Sequence, residues 1–524
     1  MTTASDAAGG SVPITPAVDP AVDPPAVPIA SALLLAGAVL LGDWLFFDRR
    51  GGISLAVFLA AIEIAAAAML RPPLRTSALA ALAGLASLAP VVVDATPLSI
   101  SLAVAGAGAV LVVLTGNWRG TIAARIVSVV EMLARGSLRM PAELPRTTIR
   151  LATTVARARG ATRHLVAWIV PVCFTAIFLE LFAAANPIIE RWLDAIDIAW
   201  LLRWASAITT ERLLLWATLG WLAWPFAFAR PVDLGLAAGV VRAFARGAAS
   251  NGGLFARAPA ELLGEAAILR SLVVFNALFA VQSVLDVAIL WDGHALPPGM
   301  SFAAYAHRGA YPLIVTALIA AAFVLVAIDD SRAGRRAGLV RALVTLFTMQ
   351  NVVLVASALL RLEHYVSFYA LTYWRVAAFV WMVLVAIGLV LILVRIWTKR
   401  DNAWLLSANM LTATAALYAC AFADLPALIT RFNIANCREL TGNGIALDAQ
   451  YLYSLGPNAF PALDEAVREL ERRSTASGLT ARLAPVRDAL ARLALAERNG
   501  WHSATLRRVA LLAYIEKHTE HPAP

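Results

Sequence analysis

Runs of about twenty apolar residues recur roughly eleven times between Ile29 and Ala423, separated by short arginine-bearing loops. Each run is long enough to cross a hydrocarbon core of about 30 Å at a helical rise of about 1.5 Å per residue. In lipid, backbone polar groups must be satisfied within the segment, so such runs are helices. The spans expected are 29–47, 53–70, 76–93, 98–114, 165–186, 212–229, 266–290, 310–328, 340–360, 373–394 and 403–423. The expected fold class is all-α: a polytopic transmembrane helix bundle of about 11 spans with a small helical C-terminal domain.

The pattern changes in three places. Residues 1–28 are rich in Pro, Ala and small polar residues, carry Asp6, Asp19 and Asp23, and lack the basic start of a cleavable signal. A disordered N-terminal tail before an uncleaved first span is expected there. The loop 115–164 is long and basic. Within it Thr121–Arg135 sets Ile, Val, Met and Leu against Arg125, Glu131 and Arg135 at helical spacing. That pattern fits a cytoplasmic amphipathic helix lying on anionic headgroups, and equally a solvated helical hairpin. Residues 188–205 read as a second in-plane helix. From Asp424 charge runs throughout, with helical patterning in Ala462–Arg473, Thr480–Glu497 and Ser503–His518. The domains expected are therefore 1–28, 29–423 and 424–524.

Composition agrees with a lipid solvent: 60% of residues are hydrophobic, 15% are charged, and the mean hydropathy is +0.74. The formal charge is +9. Arginine supplies nearly all of the basic residues, and lysine occurs only at Lys399 and Lys517. Because the arginines sit between spans, orientation in the bilayer explains them better than nucleic-acid binding, which is not expected. Arginine dominance and abundant alanine suggest a GC-rich bacterial genome. Cys173 and Cys420 lie inside spans and Cys437 stands alone in the tail, so neither a disulfide framework nor a metal site is expected, and no cofactor.

With a cytoplasmic N-terminus, the cytoplasmic loops hold 22 basic residues and the opposite short loops hold 6, namely Arg49, Arg50, Arg191, Arg203, Arg308 and Arg361. The positive-inside rule thus favours that orientation. The acidic N-tail and Arg49–Arg50 pull the first span the other way. An odd span count then sets the C-terminal domain on the extracytoplasmic side of a bacterial inner membrane.

Several blocks are specific enough to carry a resemblance. They are the stretch Asn276–Ile328 with Leu290-Trp291-Asp292-Gly293-His294, the block Tyr369-Ala370-Leu371-Thr372-Tyr373-Trp374-Arg375, and Arg431-Phe432-Asn433-Ile434-Ala435-Asn436. Asp448-Ala449-Gln450-Tyr451-Leu452 and Pro461-Ala462-Leu463 complete the set. Together the chain resembles the bacterial membrane family called domain of unknown function 4173, related to 4153, in which Gly usually stands where this chain has Ala370. The resemblance implies a multi-span inner-membrane protein and supplies no reaction.

Ionisable groups inside spans cost about 2.5–3.5 kcal/mol each on insertion scales, so each should face the bundle with a partner. Asp43, Glu63, Glu180 and Asp286 qualify. In the seventh span Asn276, Ser283 and Asp286 share one helical face, with Gln282 beside it. This is either a polar track for an ion, proton or headgroup or a set of interhelical hydrogen bonds that fix packing. A second group falls on the expected outer face: Tyr305, His307 and Arg308 after span seven, and Arg361, Glu363, Tyr365, Tyr369 and Arg375 around the end of span nine. Arg361, Tyr365, Tyr369 and Thr372 follow helical spacing. An Arg–Tyr surface can bind a phosphate or carboxylate headgroup, and an interfacial aromatic belt produces the same composition. His307 or His364 with Glu363 offers an acid–base pair without any supporting motif. Gly106-Ala107-Gly108 reads as a close helix approach.

Three functions follow as expectations. The first is a non-enzymatic scaffold, sensor or partner-binding module, whose partners are the bilayer, anionic lipid headgroups and a membrane or envelope protein. The second is an ion- or proton-coupled transporter using Glu180 and Asp286. The third is a membrane enzyme acting on lipid or envelope headgroups.

Overall fold

Apolar runs with no competing turn chemistry become helices, and the computed structural model has no strand among its described residues. Those residues are 29–49, 51–158, 209–229, 265–286, 337–472, 477–497 and 500–519, with scattered positions between them. In chain order the first helices are α1 (Ile29–Phe46), α2 (Ile53–Leu70), α3 (Leu74–Val93), α4 (Pro97–Leu114), α5 (Ile122–Ala158) and α6 (Thr210–Ala227). There follow α7 (Glu265–Asp286), α8 (Ala337–Tyr369), α9 (Tyr373–Thr398) and α10 (Asn402–Phe422).

Among the described residues eight helices are long and apolar enough to cross a membrane: α1–α4 and α7–α10. Helix α6 forms where a span was expected, but it carries Glu211 and Arg212 in its first turn and Pro225 within it, and it is not among the eight. The spans expected at 165–186 and 310–328 fall largely outside the described residues, as does the in-plane helix at 188–205. The starts are locally encoded. Thr96 and Ser99 form a reciprocal cap on α4, and the Asp401 carboxylate accepts from the Trp404 amide at 2.8 Å to open α10.

Packing divides the chain into two compact units, Met1–Leu33 with Pro141–Ala207, and Leu34–Met140 with Ile208–Pro524. In the first, the second half of α5 remains helical through Pro145, and Thr148 Oγ1 donates to the Leu144 carbonyl at 3.1 Å.

One core of the second unit joins α1–α4 to α5 and α6 through Phe58, Leu59, Ile62, Val91, Leu111, Met132 and Phe226. The glycines of α4 set its spacing. A Cβ on Gly106 would lie 1.9 Å from the Ser87 Cβ of α3, and one on Gly108 would lie 2.8 Å from Leu133 of α5. The Gly-Ala-Gly run is thus a close helix approach. Helix α5 buries Ala123, Val129 and Met132 and pairs Glu131 with Arg135 at 2.8 Å. It packs on the bundle: Trp221 Nε1 of α6 donates to the Ser137 carbonyl at 3.0 Å, and the Ala123 amide donates to Ser407 Oγ of α10 at 3.3 Å.

After α10 the chain forms α11 (Leu425–Ala435), α12 (Arg438–Thr441), α13 (Ala449–Ser454), α14 (Phe460–Arg472), α15 (Ser477–Ala496) and α16 (Leu506–Thr519). They share a core of Ile429, Leu452, Leu463, Leu483, Leu490 and Ile515, into which Val366 and Leu371 of the α8–α9 region also insert.

These C-terminal helices clasp three span turns and one span end. The Ile53 amide donates to the Ala504 carbonyl at 2.9 Å, and Arg49 meets His502 Nε2 at 2.7 Å. Arg507 donates to Asp94 Oδ2 at 2.6 Å and to the Phe422 carbonyl at 3.0 Å. The Ile445 amide donates to the Phe368 carbonyl at 3.1 Å. The α1–α2, α3–α4 and α8–α9 turns and the end of α10 therefore lie on one face, called here the capped face.

Candidate functional site

Helices α7 and α8 meet through an apolar contact of Ile268, Leu269, Leu272, Val340, Val344 and Phe347. Beyond it the interface turns polar. Asn276 Nδ2 donates to the Leu343 carbonyl at 3.1 Å, and Gln350 Nε2 donates to the Asn276 carbonyl at 3.2 Å. Further on, Arg361 pairs with Asp286 Oδ1, which also accepts from Gln282 Nε2 at 2.9 Å. Asp286 is 1% exposed and Arg361 is 8% exposed. Both links join residues 74 or 75 positions apart, with numbers rising together, so the two helices run parallel.

Charge burial explains the arrangement. A carboxylate inside lipid is tolerable only when a charge or hydrogen bonds compensate it, and a guanidinium is the best-matched partner. Asp43 is satisfied in the same way. Arg212 Nε of α6 donates to Asp43 Oδ1 at 2.7 Å, and Trp216 Nε1 donates to the same oxygen at 2.9 Å. Glu63 is buried between helices, where a Cβ on Gly84 would lie 2.6 Å from its Oε2.

The α8–α9 turn is a separate construction. The Arg375 guanidinium donates to the Tyr369 carbonyl at 2.5 Å, to the Ala370 carbonyl, and to Tyr365 Oη at 3.0 Å, with its Cζ 4.5 Å from the Tyr365 ring centroid. It thereby satisfies carbonyls left open by the end of α8. Asn433 of α11 closes the turn from the other side: its Oδ1 accepts from the Leu371 amide at 2.5 Å and its Nδ2 donates to the Leu371 carbonyl at 2.9 Å. The Tyr373 amide donates to Tyr451 Oη at 3.3 Å. Ala370 sits at φ +69°, a left-handed conformation that favours glycine. Three sequence blocks far apart in the chain (369–375, 431–436 and 448–452) thus converge on one turn.

The expected site residues separate accordingly. Asn276, Gln282 and Asp286 come together as a seam, and Arg361 joins them rather than the outer surface. Tyr365, Tyr369 and Arg375 form the turn brace. Thr372 does not continue the Arg361–Tyr365–Tyr369 face, because α8 ends at Tyr369 and Thr372 caps α9. Glu363 and His364 are exposed. Glu180, Tyr305, His307 and Arg308 lie outside the described residues, as does Cys173. Among the described residues no three His, Cys, Asp or Glu side chains converge as a metal ion would need. Cys437 is 3% exposed, and burial pushes its thiol up from the ordinary range.

Sequence reasoning did not single out Gln350, Ser357 or Asn433 as site residues. Gln350 was visible as a polar residue in a span, whereas Asn433 gave no signal beyond its place in a resemblance block. On the C-terminal helices a cavity of about 350 Å³ is lined by Arg431, Pro461, Glu465, Arg468, Arg472, Tyr514 and His518. Its arginines are matched by acids: Arg431 with Glu465 at 3.3 Å, Arg468 with Asp464 at 3.0 Å, and Arg472 with Glu469.

Eight apolar helices of spanning length, acidic side chains buried between helices, and a helical cap over their turns define a polytopic helical membrane protein. The family model described as Domain of unknown function (DUF4153) matches residues 80–466, and the chain belongs to that family. The match thus falls on the relative of the family named from the sequence blocks, and family 4173 itself is not shown. No curated protein and no solved structure matches the chain.

Proposed function

We propose that this is a bacterial inner-membrane protein of eleven spans acting without catalysis, as a scaffold, sensor or partner-binding module. Its C-terminal helices are an extracytoplasmic domain and form the working surface. The observation that carries this reading is the clasp: one helical layer holds the α1–α2, α3–α4 and α8–α9 turns and the end of α10. A partner bound to that layer is mechanically connected to seven of the helices. The positive-inside rule sets the capped face outside.

Helix directions support the count of eleven. Helix α4 leaves the capped face. Helix α6 starts beside Asp43, near the capped end of α1, and runs toward α5. An odd number of crossings between α4 and α6 is what the expected span at 165–186 would provide. Helices α7 and α8 run parallel, which again calls for an odd number between them, and the expected span at 310–328 supplies it.

The test is photo-crosslinking in native membranes from Leu440 and Trp501, both exposed on the C-terminal helices. One adduct of constant mass from both positions is expected. Flux through the purified protein in proteoliposomes that Asp286→Asn abolishes would overturn this reading in favour of transport.

Transport is the second reading, favoured by the buried Asp286–Arg361 pair and the polar seam below it. The enzyme reading draws less support, because the Arg375 guanidinium is committed to backbone carbonyls of its own turn.

A further inference from the structure

Five oxygen atoms along the α7–α8 interface are buried without a hydrogen-bond partner among the described residues: Asn276 Oδ1, Gln350 Oε1, Ser283 Oγ, Ser357 Oγ and Asp286 Oδ2. They follow one register. Gln350 contacts Asn276, Ser357 and Ser283 stand seven residues further on in each helix, and Arg361 pairs with Asp286 beyond them. Seven residues correspond to about 10 Å along a helix, so the seam is a row of oxygens reaching from inside the apolar layer to the ion pair.

The serines make the case specific. Thr345, Thr348, Ser407, Thr412 and Thr414 each donate to the carbonyl four residues earlier, at 2.8, 2.8, 2.7, 2.9 and 2.8 Å. That bond is the usual way for a hydroxyl inside a span to be satisfied. Ser283 and Ser357 do not make it, and Ser357 is 0% exposed. An unpaired buried polar group costs about 1–3 kcal/mol, so five in one row call for a common occupant.

The chemistry of the row selects that occupant. Amide and carboxylate oxygens only accept, and hydroxyls can accept and donate. Their complement is water and a small hard cation, which takes oxygen ligands. We propose that the α7–α8 seam is a hydrated site that admits a small monovalent cation to Asp286. It stands independently of the scaffold reading, since an accessible seam need not conduct.

The test replaces Cys173, Cys420 and Cys437 with Ser in the full chain in nanodiscs, then introduces Ser283→Cys or Ser357→Cys. Each thiol is titrated with aminoethyl methanethiosulfonate, a small cation, and with its sulfonatoethyl counterpart, an anion. Rates are normalised to the exposed Ser454→Cys, with the outward-facing Leu278→Cys as the dry reference. Both seam thiols are expected to exceed the dry reference, with the cation favoured about tenfold by the row of accepting oxygens, and Asp286→Asn, which leaves the Arg361 guanidinium uncompensated, is expected to turn that preference toward the anion. Seam thiols as slow as Leu278→Cys would mean a dry packing interface and overturn the proposal. Equal normalised rates for the two reagents would overturn it as well, by leaving water without cation selection. The two thiols stand on different helices, so a folding failure of one leaves the other to decide.

Discussion

Asn433 holds Leu371 through both of that residue's backbone groups, accepting from its amide and donating to its carbonyl. A side-chain amide used in this way replaces the two hydrogen bonds that a regular helix would have supplied, in a turn where neither α8 nor α9 can.

Asn433→Ala leaves both buried groups open and should destabilise the protein by about 2–4 kcal/mol. The check is hydrogen exchange at Leu371 together with the thermal midpoint in nanodiscs. Unchanged protection at Leu371 would show that another group holds the turn.

Ala370 occupies a left-handed conformation that costs an L-residue about 1 kcal/mol. Ala370→Gly is therefore expected to stabilise by about 0.5–1 kcal/mol, whereas a branched residue such as Ala370→Val should destabilise. Thermal midpoints of the two variants, measured side by side, would show opposite signs.

Removing one member of the Asp286–Arg361 pair strands the other in lipid. Arg361→Ala should cost about 3–5 kcal/mol, and Asp286→Leu combined with Arg361→Leu should recover most of it. A double variant as unstable as the sum of the two singles would refute the coupling.

Span direction can be read by impermeant maleimide in intact cells. Asp48→Cys and Ser454→Cys should label together and Lys399→Cys only after permeabilisation, because the first two are exposed near the capped face and the third ends α9 at the opposite side. Native Cys437 should stay silent in both states, since its thiol is buried. Labelling of Lys399→Cys in intact cells with the other two protected would invert the topology.

Burial and the Asp464 carboxylate, which accepts from the Tyr514 hydroxyl at 3.0 Å, push that hydroxyl from its usual 10.0 up to about 12. The folded state holds the proton more tightly. This contribution is therefore whole below pH 10 and is lost as the pH rises toward 12. Tyrosinate absorbance against pH should show a late component, near pH 12, that Asp464→Asn moves earlier.

The spans were legible because lipid removes every alternative to internal hydrogen bonding, so twenty apolar residues carry nearly the whole message. The polar face of α7 was legible for a similar reason, since Asn276 and Asp286 recur at helical spacing. Their partners were not. Gln350 and Arg361 come from a helix some 75 residues away, and parallel packing leaves no mark in either helix alone. Arg361 read as an outer arginine because a long side chain near a helix end usually snorkels toward water, and here a buried carboxylate draws it inward. The brace at Arg375 was hidden because an arginine beside tyrosines has the same composition whether it binds a ligand or its own backbone. Cys437 stands alone in the tail sequence, and the C-terminal core that buries it was invisible to composition.

The clasp also orders events during synthesis. The residues that tie the turns together, Asn433 through Arg507, follow every span in the chain. Each turn must therefore leave the translocation machinery and wait unbraced until the last hundred residues arrive. A chain cut short after α10 would hold every expected span and still lack the links of the clasp. Quality-control proteases that sample loose turns would meet such a chain with the Asp94 carboxylate and the Leu371 and Phe368 backbone groups still uncovered.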